Sequence, residues 1–213
     1  LKREKFSKNL PENLIAITGT IASGKSAVLK IAHDSGYPVI SADNLSKKVM
    51  VKGNACFDAL KSEFGNIILD EKGDIDRKKL LSIVVVDLNL KKKLEDIVHP
   101  AIFELLEAEL EELKSRGFKW VFVEVPLLFE GDWQDFFDYA ICVTSPEKFI
   151  MERMLLRHQD NPEVLEMALK LKESHFSQEK KALLSDFVIE NSGDLHELEE
   201  KFKKIISEII HKH

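Results

Sequence analysis

The stretch "LIAITGTIASGKSAV", residues 14 to 28, decides how this chain folds. "LIAIT" is a continuous apolar run of strand length, too short for an amphipathic helix. It gives way to small and polar residues. A helical pattern then resumes from about Lys25 to Asp34 and is closed by Ser35-Gly36. The loop between fits G-x-x-x-x-G-K-[ST] at every fixed position: Gly19, Gly24, Lys25 and Ser26. Glycines at those places let the backbone take φ > 0 and approach an anion closely. Successive N–H groups then converge on phosphate oxygens at a helix N-terminus, whose dipole favours negative charge.

Working outward, the same alternation continues. Apolar runs at residues 37–41, 120–126, 139–144 and 186–191 are rich in Val, Ile and aromatics and poor in charge. They read as strands buried on both faces, and the long helical patterns between them indicate a parallel sheet covered by helices. Residues 44–117 carry no strand pattern. They read as helices at about 44–51 and 54–64, a third after Asp76 as N-cap, a fourth through "KKKLEDIVH" and a fifth opening at Pro100 and ending near Gly117. A second helical insertion covers about 147–181. An amphipathic helix capped by Asp194 closes the chain. The expected division is therefore a nucleotide-binding core of residues 13–43, 118–146 and 182–213, a helical subdomain of 44–117 and a helical lid of 147–181.

Composition narrows the function. Hydrophobic residues make up 44% and charged residues 32%, as in a soluble globular protein, and the net charge is −6. An acidic chain without a basic stripe is not expected to bind nucleic acid. Lys91-Lys92-Lys93 lies in a helical pattern beside Glu95 and Asp96 and reads as a solvated face. No run approaches the ~18 apolar residues of a membrane span. Residues 1–12 lack the apolar region of a secretory signal and are set aside. Cys56 and Cys142 stand in no CxxC spacing and read as reduced thiols of a cytoplasmic protein.

The loop motif points to a nucleoside triphosphate, with Lys25 reaching the β- and γ-phosphates and the Ser26 hydroxyl taking a position on Mg²⁺, partly through water. Gly19, Ala22, Ser23, Gly24, Lys25, Ser26 and Ala27 form the expected cradle. Motors, switches and kinases share it. Two helical insertions favour a small-molecule kinase, with a site closed against water. Asp43 follows the second strand at its carboxyl end, the ligand edge of such sheets. It reads as a general base for an acceptor hydroxyl or as the cap of the helix at 44–51. Arg153 and Arg157 share a helix face and suit the charge of a transferring phosphoryl group. Glu124, ending the third strand, suits a Mg²⁺ water shell.

Taken together, the chain resembles the dephospho-coenzyme A kinases from Leu14 to about Leu198. The pieces that carry the resemblance are "GTIASGKS", "SADNL", "FDALKSEFG", "GDIDRKKL", "LEDIVHPAI", "VFVEVPLLFE", "RMLLR" and "SDFVIENSG", in that order. The resemblance implies an α/β P-loop fold: a five-stranded parallel sheet in the order 2-3-1-4-5, with helical acceptor-binding and lid insertions. It implies ATP and dephospho-CoA as substrates, Mg²⁺ as cofactor, and phosphorylation of the ribose 3′-hydroxyl. It is compatible with a monomer or small homo-oligomer. On this resemblance Asp43 is the candidate base, with Lys25, Arg153 and Arg157 as its catalytic partners. Arg77, His99, Pro126, Leu127 and Glu130 are expected to shape the acceptor pocket, and Asn191 and Gly193 the adenine-side loop. The chain departs from the family at Ser41, where an acid is usual, and at His175, where glutamine is frequent. A nucleoside or nucleoside-monophosphate kinase is the alternative.

Overall fold

The structure is a computed structural model, and it describes residues 9–158 and 161–211. The chain runs β1 (Asn13–Thr18), α1 (Lys25–Asp34), β2 (Val39–Ser41), α2 (Ala42–Val49), α3 (Ala55–Phe64), α4 (Arg77–Val84), α5 (Leu88–Ser115), β3 (Trp120–Glu124), β4 (Tyr139–Thr144), α6 (Glu147–His158), α7 (Pro162–Ser174), α8 (Gln178–Leu184), β5 (Phe187–Glu190) and α9 (Leu195–Ile210). It divides into two compact units, one through Ile40 and from Leu113 onward, the other Ser41–Glu112.

The first unit is built on a five-stranded sheet in the order β2-β3-β1-β4-β5, the order the sequence resemblance implies. The pairings of β1 with β3 and β4, and of β4 with β5, are parallel. The register sets Ile17 opposite Glu124 and Ile141. On one face Ile15, Ile17, Phe122, Ile141 and Val143 pack against Val28 and Ile31 of α1 and Leu198, Phe202, Ile205, Ile206 and Ile209 of α9. Each of those α9 side chains contributes about 1.5–3 kcal/mol when fully buried. That stripe, at helical spacing, is why the last helix forms where it does. Asp194 starts it by accepting a bond from the Glu197 N–H.

Burial on both faces holds for β1, every residue of which is buried, but fails at β5, where Val188 and Glu190 are exposed. β5 lies at the sheet edge, so only its α9-facing side chains are covered. Two aspartates tie the strand starts in register. Asp138 accepts the Leu14 N–H at 2.7 Å, and Asp186 accepts the Ala140 N–H at 2.8 Å.

The second unit is helical, with a short bridge between Leu69 and Ile75. Asp76 caps α4 as expected, accepting from the N–H groups of Lys78 and Lys79. The expected break at Pro100 is absent, and α5 runs through it from Leu88 to Ser115. Proline removes one N–H, the partner of the Asp96 carbonyl, at a cost of ~3 kcal/mol. Val98, Ile102, Phe103, Leu106 and Leu110 lie on one buried stripe that spans the proline, and their burial outweighs that single loss. Of the lysine run, Lys91 and Lys93 pair with Glu95 and Glu63, as a solvated face would. Among the described residues no helix is long and apolar enough to cross a membrane.

Candidate active site

β1 ends at Thr18 and α1 begins at Lys25, so residues 19–24 form the loop at the carboxyl edge of the sheet. Gly19 takes φ +144°, and a Cβ there would lie 2.3 Å from the Val143 carbonyl oxygen of β4. Gly24 takes φ +108°, and a Cβ there would lie 1.9 Å from Asn191 Nδ2. Both positions need glycine for close approach as well as for φ. Ala22 also has positive φ, 61°, which strains an L-residue. It is buried against Ile150 and Met154 of α6, so packing holds the loop in that shape.

Three features make the loop an anion cradle. Gly24, the N-cap of α1, offers no side-chain bond, and the first turn holds no acid. The positive end of the α1 dipole is thus left for a ligand. Thr20 Oγ1 and Ser23 Oγ are buried hydroxyls with no hydrogen-bond partner. The ammonium of Lys25, itself buried, donates to the carbonyls of Gly19 (3.1 Å) and Thr20 (2.9 Å). Ser26, next on the helix, is exposed, and Ala27 donates its N–H to Gly24.

Behind the loop stands a second layer. Asn191 is buried, donates from Nδ2 to the Ser23 carbonyl at 2.9 Å, and accepts the Ser145 hydroxyl on its own carbonyl at 2.7 Å. Arg153 Nη1 donates to the carbonyls of Ala22 and Ser23, both at 3.2 Å, and to Ser145 Oγ at 3.0 Å. The guanidinium therefore braces the loop from α6. Arg157, one turn further along, is exposed. Gly193 is exposed ahead of α9.

The loop after β3 starts beside the cradle, because the Val125 N–H still donates to Ile17 of β1. The Pro126 carbonyl accepts from Thr18 Oγ1 (3.3 Å) and from Lys181 Nζ (2.7 Å). Leu127 is half-buried, whereas Leu128 is wholly buried and belongs to the core. Glu130 pairs with Lys181 and also accepts the Phe176 N–H. Glu124 ends β3 opposite Ile17.

In the helical unit, α2 begins at Ala42 with Ser41 as N-cap residue, so exposed Asp43 lies inside the first turn and is not its cap. Arg77 is exposed at the start of α4. His99 is half-buried in α5, and burial pulls its pKa below the usual histidine value against the opposing pull of Glu95 and Asp96. His175 follows the end of α7. Both cysteines are free and buried, and burial pushes the Cys142 thiol up to about 11.

The bonds of Lys181 and Ser145 to these loops and to the residues behind them are not legible in the sequence. Lys181 stands in "QEKKALL", where a lysine pair reads as a solvated helix face, yet it is 1% exposed. Ser145 lies just past a strand with no motif around it.

Comparison with known proteins adds to this geometry. Residues 13–197 match the family described as dephospho-CoA kinase. The dephospho-CoA kinase of Fusobacterium nucleatum is 38% identical over 192 residues, covering 90% of this chain and 94% of that protein. That of Staphylococcus haemolyticus is 33% identical over 195 residues, covering 92% and 95%. The crystal structure of TT1252 from Thermus thermophilus superposes with a TM-score of 0.80 at 31% identity, covering 93% of this chain and 98% of that one. Dephospho-CoA kinase from Campylobacter jejuni gives 0.64 at 30% identity, covering 92% and 96%. With a phosphate-binding loop, its bracing layer and a family match over nearly the whole chain, this protein belongs to the dephospho-CoA kinases, which take ATP and dephospho-CoA as substrates.

Proposed function

We propose that this chain moves the γ-phosphoryl group of ATP to the ribose 3′-hydroxyl of dephospho-CoA with the following division of labour. The residue 19–24 loop and the first N–H groups of α1 hold the β- and γ-phosphates, and Lys25 turns from the loop carbonyls to those oxygens. The observation that carries the reading is the α1 N-terminus, with neither cap nor acid, set beside two orphaned buried hydroxyls. Such a terminus is complementary to an anion and to little else.

Among the described residues no cluster of three or more His, Cys, Asp or Glu is arranged to hold a metal ion. Ser26, exposed as the second residue of α1, would give its hydroxyl to a Mg²⁺ arriving with the nucleotide, and Glu124 at the end of β3 would order its water. When bound, the ion neutralises charge on the phosphate oxygens.

Asp43 accepts the proton of the 3′-hydroxyl as it attacks. Its place within the first turn of α2 supports this, since it is not consumed as a cap. Arg153 fixes the cradle from behind, and Arg157 supplies charge to the moving phosphoryl group from the same helix face. Leu127 and Pro126 flank the acceptor ribose, while Arg77 and His99 shape the pocket for the rest of dephospho-CoA. Asn191 and Gly193 border the adenine. The buried free cysteines suit a reducing cytoplasm, and the chain works as a monomer or small homo-oligomer without nucleic acid.

Asp43→Asn tests the reading. Turnover should fall by ~10²–10⁴ as for a lost general base, with the KM for ATP unchanged. Wild-type turnover in that variant would refute the assignment.

A further inference from the structure

Lys181 is a lysine where a lysine is costly. Its side chain is 1% exposed and that of Glu130, its partner, 10%. The ammonium donates to Glu130 Oε2 at 2.9 Å and to the Pro126 carbonyl at 2.7 Å, and forms an ion pair with Glu130 Oε1 at 2.8 Å. Glu130 Oε1 also accepts the Phe176 N–H at 2.9 Å. A buried ion pair adds little to stability relative to well-packed apolar side chains, and its best-attested use is to fix a register. What is fixed here is the loop between β3 and β4.

That loop lies where the reaction must occur. In a sheet of order β2-β3-β1-β4-β5, β1 connects outward past β3, while β3 connects back across β1. The crevice at the carboxyl ends of β1 and β3 is thus the topological switch point, where open α/β sheets bind ligands. At its start the loop is held to β1 by the bonds from Val125 and Thr18. Midway along, at Glu130, it is held by Lys181 and the Phe176 amide, both in the segment where the chain returns from α6 and α7, and at its far end Asp138 is bonded to Leu14 of β1. Between Pro126 and Glu130, Leu128 and Phe129 are buried and Leu127 is half-buried.

We propose that Lys181 is a positioning residue for phosphoryl transfer. Through Pro126 and Glu130 it sets the height of the loop after β3 beside the phosphate cradle, and through Glu130 it ties that loop to the base of the α6–α7 insertion. Glu130 is thereby an anchor whose two oxygens face Lys181 and Phe176. The proposal rests on the reading that the acceptor lies against this loop.

The test is steady-state kinetics with dephospho-CoA and MgATP varied separately, alongside thermal unfolding. K181M should lower kcat/KM for dephospho-CoA by roughly ten- to a hundredfold, the scale of an ångström of misplacement, with the KM for MgATP within about twofold. K181R should recover most of the loss. K181M/E130M removes both charges, so it guards against a variant that merely unfolds. It should restore the unfolding midpoint yet leave kcat/KM for dephospho-CoA low. If the double variant recovers both, or if the KM for MgATP rises in step with that for dephospho-CoA, Lys181 is structural and the proposal fails. L127A separates the premise from the proposal. An effect of L127A on the dephospho-CoA KM with a wild-type double variant overturns the role of Lys181 alone. No effect in either overturns the placement of the acceptor.

Discussion

Replacing Gly19 with alanine should disable the cradle by a clash that no side-chain rotation relieves. The new Cβ would lie 2.3 Å from the backbone oxygen of Val143 and 2.8 Å from Ser23 Oγ. An ordinary contact is ~3.5 Å, so loop and strand must part by about 1 Å. A displacement of that size at a reacting centre costs on the order of 10²-fold in rate. The φ of +144° adds about 1–2 kcal/mol of backbone strain for an L-residue. Gly36→Ala is the matched control: φ is +88°, and nothing lies within 4 Å of its Cβ. It should lower the unfolding midpoint by about 2–8 °C from strain alone and leave turnover intact. The assay is ADP release with saturating dephospho-CoA and varied MgATP, paired with thermal unfolding. Gly19→Ala with more than about a third of wild-type kcat/KM for MgATP would show that the loop tolerates the new Cβ, because a 1 Å displacement should cost far more.

Three further outcomes are expected. Asn191→Ala removes the bond to the Ser23 carbonyl, and should destabilise the chain by about 1–3 kcal/mol and raise the KM for ATP; an unchanged KM would show that the loop holds its shape without this brace. Burial depresses the pKa of His99, so between its folded value and the ordinary value near 6.5 the unfolded chain binds more protons. Its contribution to stability is then full above that ordinary value and lost as the pH falls through the folded one. Denaturant midpoints from pH 7.5 to 5 should decline more steeply for wild type than for His99→Gln, and equal slopes would remove His99 from the account. Arg153→Met should cost more stability than Arg157→Met, because Arg153 braces Ala22, Ser23 and Ser145 while Arg157 is exposed. The reverse order of unfolding midpoints would contradict the bracing role.

The features legible in the sequence are those set by local interactions. The bounds of α1 are legible because a glycine begins that helix and Ser35-Gly36 ends it. The Asp76 and Asp194 caps are side-chain bonds to N–H groups a few residues on, so residue type and position reveal them. Pro100 shows the limit. Its local preference is to start a helix, and it was overruled by an apolar stripe on both sides that finds its partners only in the folded unit. The bracing by Arg153 was not legible, since its acceptors are backbone carbonyls far away in sequence, which no side-chain pattern encodes. Lys181 was hidden for the same reason. The Glu130 and Pro126 groups that justify its burial lie in a different segment, and a lysine pair on a short helix reads as surface.

Where the phosphate goes is decided by measuring ADP release against an acceptor panel. With MgATP alone, with dephospho-CoA, and with nucleosides and nucleoside monophosphates in turn, ADP should rise above the basal rate only with dephospho-CoA, and coenzyme A should form one for one. Turnover with a nucleoside or its monophosphate, and none with dephospho-CoA, would leave the cradle standing and contradict the account of its acceptor.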